Sequence, residues 1–332
     1  MLANKRIVIL GAGAWGTTLG YLLARAGRQY RIWSRREGIS LAEAVAGAEV
    51  IVSAVSMKGV KPVISSLAGK IGEGVIIVTA TKGLDLDTAK TPSQLWQEAF
   101  PCNPIVVLSG PNLSKEIRKG LPAATVVSSR CQKAAELIQT LFASDIFRVY
   151  VNDDPLGTEL GGTLKNVMAI AAGVCDGLQL GTNAKAALLT RALPEMIRVG
   201  TRLGAKLETF FGLSGLGDLL ATCDSPLSRN YQVGYQLAQG KSLSDILSNL
   251  EGTAEGVNTT EVLVKLAQRE NISVPIAYQV YLLLRGELTP PMAVRNLMAR
   301  ELKDEFWFMT GANFPHGSEK APPTGTDKKG QG

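Results

Sequence analysis

Apolar, β-branched runs and helical stretches alternate along the first half of the chain. The runs fall at residues 7–10, 30–33, 50–55, 75–79, 105–108, 125–128 and 147–151. Alternation of this kind predicts βαβ units on a largely parallel sheet. Segments such as IVIL (7–10) and VIIV (75–78) are apolar at every position, as expected of strands covered on both faces. The intervening segments read as helices, for example 17–26 and 132–142. Beyond residue 151 the β-branched runs stop. From 157 to 302 apolar positions fall at helical spacing, as in Leu160, Leu164, Val167, Met168 and Ala171. The pattern predicts an α/β fold in which a doubly wound, mostly parallel sheet precedes an all-α C-terminal domain. The turn signal Asn152-Asp153-Asp154-Pro155 sets the expected division, residues 1–152 against 153–312. Residues 313–332, rich in Gly, Pro, Lys and Thr, read as a disordered tail.

Composition narrows the chemistry more than the fold. At 332 residues, 45% hydrophobic and 19% charged, the chain reads as a globular protein with more than one core. No run of about 18 apolar residues escapes a charge or a turn former, so no membrane span is expected. The first strand begins within a few residues of the N-terminus, which leaves no room for a secretory leader and points to the cytoplasm. The cysteines, Cys102, Cys131, Cys175 and Cys223, form no C-x-x-C pair. That argues against a disulfide framework and against a zinc site, and each is expected to pack as a small buried hydrophobe. The one histidine, His316, lies in the tail. Proton transfer therefore falls to Lys, Asp, Glu, Tyr or water, and no metal is expected. A net charge of +6 suits an anionic small molecule, and without a dense basic stripe nucleic acid is not an expected partner.

The first strand runs straight into Gly11-Ala12-Gly13-Ala14-Trp15-Gly16, which opens a helix ending near Ala26. The first glycine permits a tight turn, the second lets the backbone approach a pyrophosphate, and the third lets helix pack on strand. The helix N-terminus adds N–H donors and a positive dipole. Strand, glycines and helix in this order make a dinucleotide site and a Rossmann-type domain. Arg35 and Arg36 follow the second strand, with Glu37 one step later. Arginine there suits a 2′-phosphate, where an acidic residue would take a ribose hydroxyl, so NADPH is favoured and NADH admissible.

Five further motifs stand in register. They are Ala80-Thr81-Lys82-Gly83, the run from Ser109 through Gly110, Asn112 and Ser114 to Glu116, the run from Glu159 to Val167 with Gly161, Gly162, Lys165 and Asn166, the glycine-rich 212–218 ending in Asp218, and Ser228-Arg229-Asn230. In this order, over about residues 5–305, they resemble the bacterial-type NAD(P)-dependent glycerol-3-phosphate dehydrogenases. The resemblance implies a reversible NAD(P)H-dependent reduction of dihydroxyacetone phosphate to sn-glycerol 3-phosphate for glycerophospholipid synthesis, by an enzyme expected to be a homodimer. It makes Lys165 the catalytic lysine, a proton donor whose pKa neighbouring cations or desolvation would lower into a useful range. Lys82 is implied to touch substrate and cofactor and to stabilise the developing alkoxide. Asp218 and Asn166 are implied to orient Lys165 and the substrate hydroxyl, with a plain helix N-cap as the alternative for Asp218. Gly110 and Asn112 would line the substrate, while Arg229 would grip its phosphate with Ser228 and Asn230 adding donors. Ser114, Arg229 and Glu255 join the glycine turn, Arg35 and Lys82 as implied cofactor contacts. Glycines cost about 1 kcal/mol each inside a helix, and the pair Gly161-Gly162 is expected to let cofactor or substrate approach the backbone.

Two features depart from that family. Only about fourteen residues separate Ser34 from Glu49, where the family has a longer segment, and a short helix at 41–46 is expected to bridge them. Asn112-Leu113 stands where the family has Ser or Thr and then Phe, although Asn112 can still donate a hydrogen bond. Two other readings compete. A β-hydroxyacid dehydrogenase-like enzyme would place Asn one helical turn after the lysine, where this chain has Ala169. A catalytically silent NADP-binding sensor or scaffold would bind cofactor without turnover.

Overall fold

The structure, a computed structural model, describes residues 5–36, 38–302 and 304–305. Glu37, His316 and the whole tail 313–332 lie outside the described residues. Among the described residues seven strands form one sheet: β1 (Ile7–Leu10), β2 (Tyr30–Trp33), β3 (Val50–Ser53), β4 (Ile76–Thr79), β5 (Ile105–Ser109), β6 (Ala123–Ser128) and β7 (Phe147–Asn152). Their order is β2-β1-β3-β4-β5-β6-β7. The first five run parallel, β6 is antiparallel to β5, and β7 is parallel to β6. Strand order turns back between β1 and β3, and ligands of doubly wound sheets bind at the carboxyl ends of such strands.

Every residue of β1, β3 and β4 is buried, because helices cover both faces. Successive side chains of a strand point to opposite faces. Ile7, Ile9, Val50 and Val52 accordingly pack with α1 (Ala14–Arg25), and the same core takes in α5 (Ser114–Ile117) and α6 (Gln132–Phe142). Val8, Leu10, Ile51 and Ile77 pack the other way, against α2 (Leu41–Val45), α3 (Met57–Leu67) and α4 (Pro92–Ala99). The short link between β2 and β3 is bridged by α2, whose N-cap Ser40 accepts from Glu43 N. Helix α1 starts three residues earlier than its apolar pattern suggests, since the glycine turn itself makes its first turn.

Past β7 the chain is helical: α7 (Pro155–Gly177), α8 (Gly181–Arg202), α9 (Asp218–Cys223), α10 (Arg229–Ala238), α11 (Leu243–Asn249), α12 (Glu255–Arg269), α13 (Pro275–Leu284) and α14 (Pro290–Met298). A 3₁₀ turn (Leu207–Phe211) and a π turn (Leu213–Gly217) join α8 to α9. Asp154 caps α7 by accepting from Gly157 N at 2.9 Å, and Pro155 takes the first helical position, where no N–H is needed. Helix α7 is the axle of this region, packed by α8, α9, α10, α12 and α13. Two buried carboxylates lock the packing. Glu159 of α7 accepts from Ser93 N (3.0 Å) and Ser93 Oγ (2.5 Å) at the start of α4. Glu195 of α8 accepts from Ile276 N (2.9 Å) and Ala277 N (2.8 Å) at the start of α13. Burial pushes both carboxyls up to about 7.

Two of the cysteines correct the sequence reading. Cys175 and Cys223 are buried as expected, but Cys102 and Cys131 are exposed, one in the turn after α4 and one at the N-cap of α6. Among the described residues no helix is long and apolar enough to cross a membrane.

Candidate active site

The glycine turn has two packed members and one open one. Gly11 has φ +113, a left-handed value that favours glycine, and a Cβ there would meet Ala54 O at 2.8 Å. At Gly16 a Cβ would stand 1.9 Å from Gly11 O, so the helix crosses the turn too closely for any side chain. A Cβ on Gly13 would meet nothing within 4 Å. Gly13 is the N-cap of α1, and the first turn of α1 holds no acidic residue. Thr17 N is bonded back to Gly13 O, leaving the N–H groups of Ala14, Trp15 and Gly16 without a helical acceptor. These donors, the helix dipole and the bare Gly13 fit the pyrophosphate of a dinucleotide. Arg35 is exposed just past β2, and Ser114 begins α5, which packs beside α1. On the opposite wall Glu255, the first residue of α12, accepts from Met57 N at the start of α3. Burial raises its carboxyl above the usual range, with nearby Lys58 and Arg229 opposing the rise.

Beside this crevice two lysines share one carboxylate. Lys82 lies just past β4, Lys165 near the middle of α7, and Asp218 at the first position of α9. Lys82 Nζ donates to Asp218 Oδ2 at 2.5 Å, and Lys165 Nζ donates to Asp218 Oδ1 at 2.5 Å. Lys82 Nζ also reaches Gly110 O at 3.3 Å. The N-cap of α9 is Gly217, so Asp218 is no helix cap and its carboxylate is given to the lysines. Lys165 is 6% exposed, and burial pushes its ammonium down to about 8; Asp218 resists that fall and Lys82 adds to it. Thr222, one turn beyond Asp218, accepts from Lys165 Nζ at 2.5 Å and donates to Asp218 Oδ1 at 3.2 Å. Sequence reasoning missed Thr222, although its spacing of four from Asp218 on a short helix was the available signal.

The glycine pair of α7 allows two close approaches. A Cβ on Gly161 would meet Ser214 O at 2.7 Å, and one on Gly162 would meet Ser109 Oγ at 2.3 Å. The pair therefore admits the protein's own π turn and the end of β5. This approach is what brings Asp218 and Lys82 onto α7. Gly83 N, donating to Thr163 Oγ1 at 3.1 Å, fastens the Lys82 loop to the same helix.

The remaining expected residues are partly committed to the fold. Asn112 Nδ2 donates to Thr125 Oγ1 (2.9 Å), which donates to Ser109 O (2.8 Å). The Asn112 donor is thus used internally, and its buried Oδ1 has no hydrogen-bond partner among the described residues. Ser228 is the N-cap of α10, its Oγ accepting from Tyr231 N at 3.3 Å. Asn230 Oδ1 accepts from Gly256 N at 2.9 Å and so caps α12. Asn166 is buried, and its carbonyl lies against Gly256. Arg229 is exposed and donates from Nη1 to Thr253 O at 3.1 Å. An open cleft of about 760 Å³ lies elsewhere, lined by Leu113, Glu116, Lys185, Leu220, Asp224 and Leu227 among others, and neither lysine of the pair faces it.

A glycine turn at the switch point of a doubly wound sheet, with a lysine from the β4 loop and a buried lysine from the helical region held by one carboxylate, defines a nicotinamide-dependent oxidoreductase. Residues 6–41 and 37–135 match the family described as NAD-dependent glycerol-3-phosphate dehydrogenase N-terminus, and residues 154–295 match its C-terminus. The chain belongs to the NAD-dependent glycerol-3-phosphate dehydrogenase family. A glycerol-3-phosphate dehydrogenase (NAD(P)+) of Synechocystis sp. is 66% identical over 302 residues, 91% of this chain and 95% of that protein. Another, from Gloeobacter violaceus, is 56% identical over 301 residues, 90% of this chain and 99% of that one. The crystal structure of glycerol-3-phosphate dehydrogenase from Coxiella burnetii matches with a TM-score of 0.85 at 34% identity, covering 89% of this chain and 99% of that chain.

Proposed function

We propose that this chain catalyses the reversible reduction of dihydroxyacetone phosphate to sn-glycerol 3-phosphate with NAD(P)H, with Lys165 as proton donor to the ketone oxygen. The observation that carries the reading is the shared carboxylate, which sets two ammonium groups within 2.5 Å of one aspartate. That arrangement suits ketone reduction, because the oxygen gains charge and then a proton. When bound, the nicotinamide supplies hydride to the carbonyl carbon. Lys82 offsets the developing charge on oxygen. Lys165, lowered to about 8, holds a proton near neutral pH and releases it readily, and in the reverse direction its neutral form takes the proton of the alcohol. Asp218 and Thr222 fix where that proton points. The Arg229 fork grips the substrate phosphate beside Ser228 and Asn230, while Gly110, Asn112 and Asn166 line the rest of the substrate.

Gly11, Gly13, Ala14, Trp15 and Gly16 cradle the cofactor pyrophosphate, with Ser114, Lys82, Arg229 and Glu255 as further contacts. Arg35 meets a 2′-phosphate, which makes NADPH the preferred cofactor and NADH an accepted one. The enzyme works as a homodimer in the cytoplasm, and its product supplies glycerophospholipid synthesis. Loss of NADPH absorbance on adding dihydroxyacetone phosphate to the purified protein, with NADH in parallel, is the test. NADPH binding without turnover of either cofactor would overturn the proposal in favour of a silent cofactor-binding protein.

A further inference from the structure

We infer that Lys185 is a positioning residue for the phosphate grip: paired with Asp176, it pins both ends of the segment that carries Arg229. The inference rests on the reading of Arg229 as the phosphate ligand. A phosphorylated ketone has a fixed distance from phosphate to carbonyl. Arg229 must therefore be held at a set spacing from Lys165 and Asp218. Asp218 and Thr222 sit on α9 and Arg229 begins α10, so the stretch 224–228 alone joins them along the chain.

That stretch has little apolar anchorage of its own. Pro226 and Leu227 are exposed. Its position is fixed by polar contacts from α7 and α8 instead. Lys185 Nζ donates to Asp176 Oδ2 of α7 at 2.7 Å and to Asp224 Oδ1, at the end of α9, at 3.0 Å. Asp176 Oδ2 also accepts from Tyr231 OH at 2.7 Å, and Lys185 Nζ lies 5.7 Å from the centre of the Tyr231 ring. Tyr231 stands two residues beyond Arg229, and its N–H completes the Ser228 cap. One ammonium–carboxylate pair thus holds Asp224 on one side of Arg229 and Tyr231 on the other. From Tyr231 onward α10 lies backbone to backbone on α7, a Cβ on Gly173 falling 2.1 Å from Tyr231 O and one on Gly234 falling 1.9 Å from Ile170 O. That contact sets the helix axis, and Asn230 on Gly256 N ties the first turn to α12. The Lys185 pair sets the approach to that turn from α9.

The Asp176 arm is shielded, with side-chain exposures of 17% for Lys185 and 28% for Asp176, so water competes with it less than with a surface pair, whereas Asp224 is 83% exposed and its arm is the weaker of the two. Burial alone would lower the Lys185 ammonium. The hydrogen bonds that Lys185 donates to Asp176 and Asp224 outweigh it and hold the group above the usual lysine range. The pin therefore stays charged wherever the enzyme works. Lys185 and Asp224 also line the open cleft, which leaves room for a substituted side chain.

The test compares Lys185→Met, Lys185→Arg and Arg229→Ala in the full-length protein, at saturating NADPH. KM and kcat for dihydroxyacetone phosphate are read together with competitive inhibition by inorganic phosphate. Lys185→Met is expected to raise KM about tenfold and weaken phosphate inhibition by a similar factor, leaving kcat within about threefold, as for a misplaced ground-state contact. Lys185→Arg should restore most of both. Tyr231→Phe, which removes only a hydroxyl, should shift KM and phosphate inhibition the same way by about threefold, and it stands in if Lys185→Met does not fold. Unchanged KM and phosphate inhibition in Lys185→Met and Tyr231→Phe, with Arg229→Ala impaired in both, would overturn the inference and leave the phosphate grip intact. An unaffected Arg229→Ala would remove the grip itself, and the inference with it. A loss of kcat and NADPH affinity together in Lys185→Met would assign Lys185 to general folding and reject the positioning role.

Discussion

In the turn from Gly11 to Gly16 the binding surface is backbone: N–H groups of α1 without helical acceptors, and a glycine whose missing side chain would have met nothing. At Asp218 the surface is all side chain. One carboxylate is shared by lysines that stand 53 and 136 positions away along the chain. The turn offers a dinucleotide what six consecutive residues leave out, a device that is local in the chain. The lysine centre depends on three elements meeting, and its specificity lies in how α7, the β4 loop and α9 are held together. Generic cofactor binding and particular chemistry are thus built by different means within one crevice.

Substitutions can separate the two. The largest effect belongs to Lys165→Ala, expected to lower kcat by about a hundredfold or more while NADPH still binds, since a positioned general acid contributes on that order. Near-normal turnover would take Lys165 out of the chemistry. Next, Gly13→Ala should keep the fold and weaken NADPH binding by about tenfold, as a methyl group keeps the phosphate from the backbone. Gly16→Ala forces its Cβ into Gly11 O and should cost stability outright, about 1–3 kcal/mol or more as overpacking does. Thermal unfolding beside an NADPH titration distinguishes them, and equal losses of stability would contradict an open Gly13.

The pH profile sharpens the same contrast. Lys165 titrates at about 8, below the ordinary lysine value because of burial. Ketone reduction needs its protonated form, so kcat in that direction should fall as pH rises through about 8. Alcohol oxidation needs the neutral amine and should rise through the same point. Profiles of kcat in both directions between roughly pH 6 and 10 check this, and slopes of the same sign would reject Lys165 as the titrating group. The smallest effect is expected of Arg35→Ala, a loss of severalfold in KM for NADPH with NADH little changed. Equal changes for both cofactors would show that Arg35 does not read the 2′-phosphate.

What could be read from the chain alone follows the same division. The central strands β1, β3 and β4 were legible because burial on both faces makes them almost wholly apolar, and the glycine turn because its physics is local. The lysine centre had no signature in spacing; only the resemblance of whole motifs placed Lys82, Lys165 and Asp218 in one site. Several residues that the motifs singled out also have structural partners that spacing along the chain does not reveal. Gly161 and Gly162 make room for Ser214 and Ser109, and the Asn112 amide donates to Thr125. Ser228 and Asn230 cap helices, Asn230 capping one that starts 25 residues further on, a partnership no local pattern announces. Cys102 and Cys131 were misjudged because a small hydrophobe is buried only where an element carries it inward, and both fall in connections.

Lys165 sits on a helix whose residues from Gly157 to Val174 are buried almost without interruption. Amide hydrogens along such a helix trade with solvent only when the whole fold opens, whereas those of exposed connections escape through local excursions. On the proposed reading of Lys165, the proton donor therefore rests on the slowest-breathing part of the molecule.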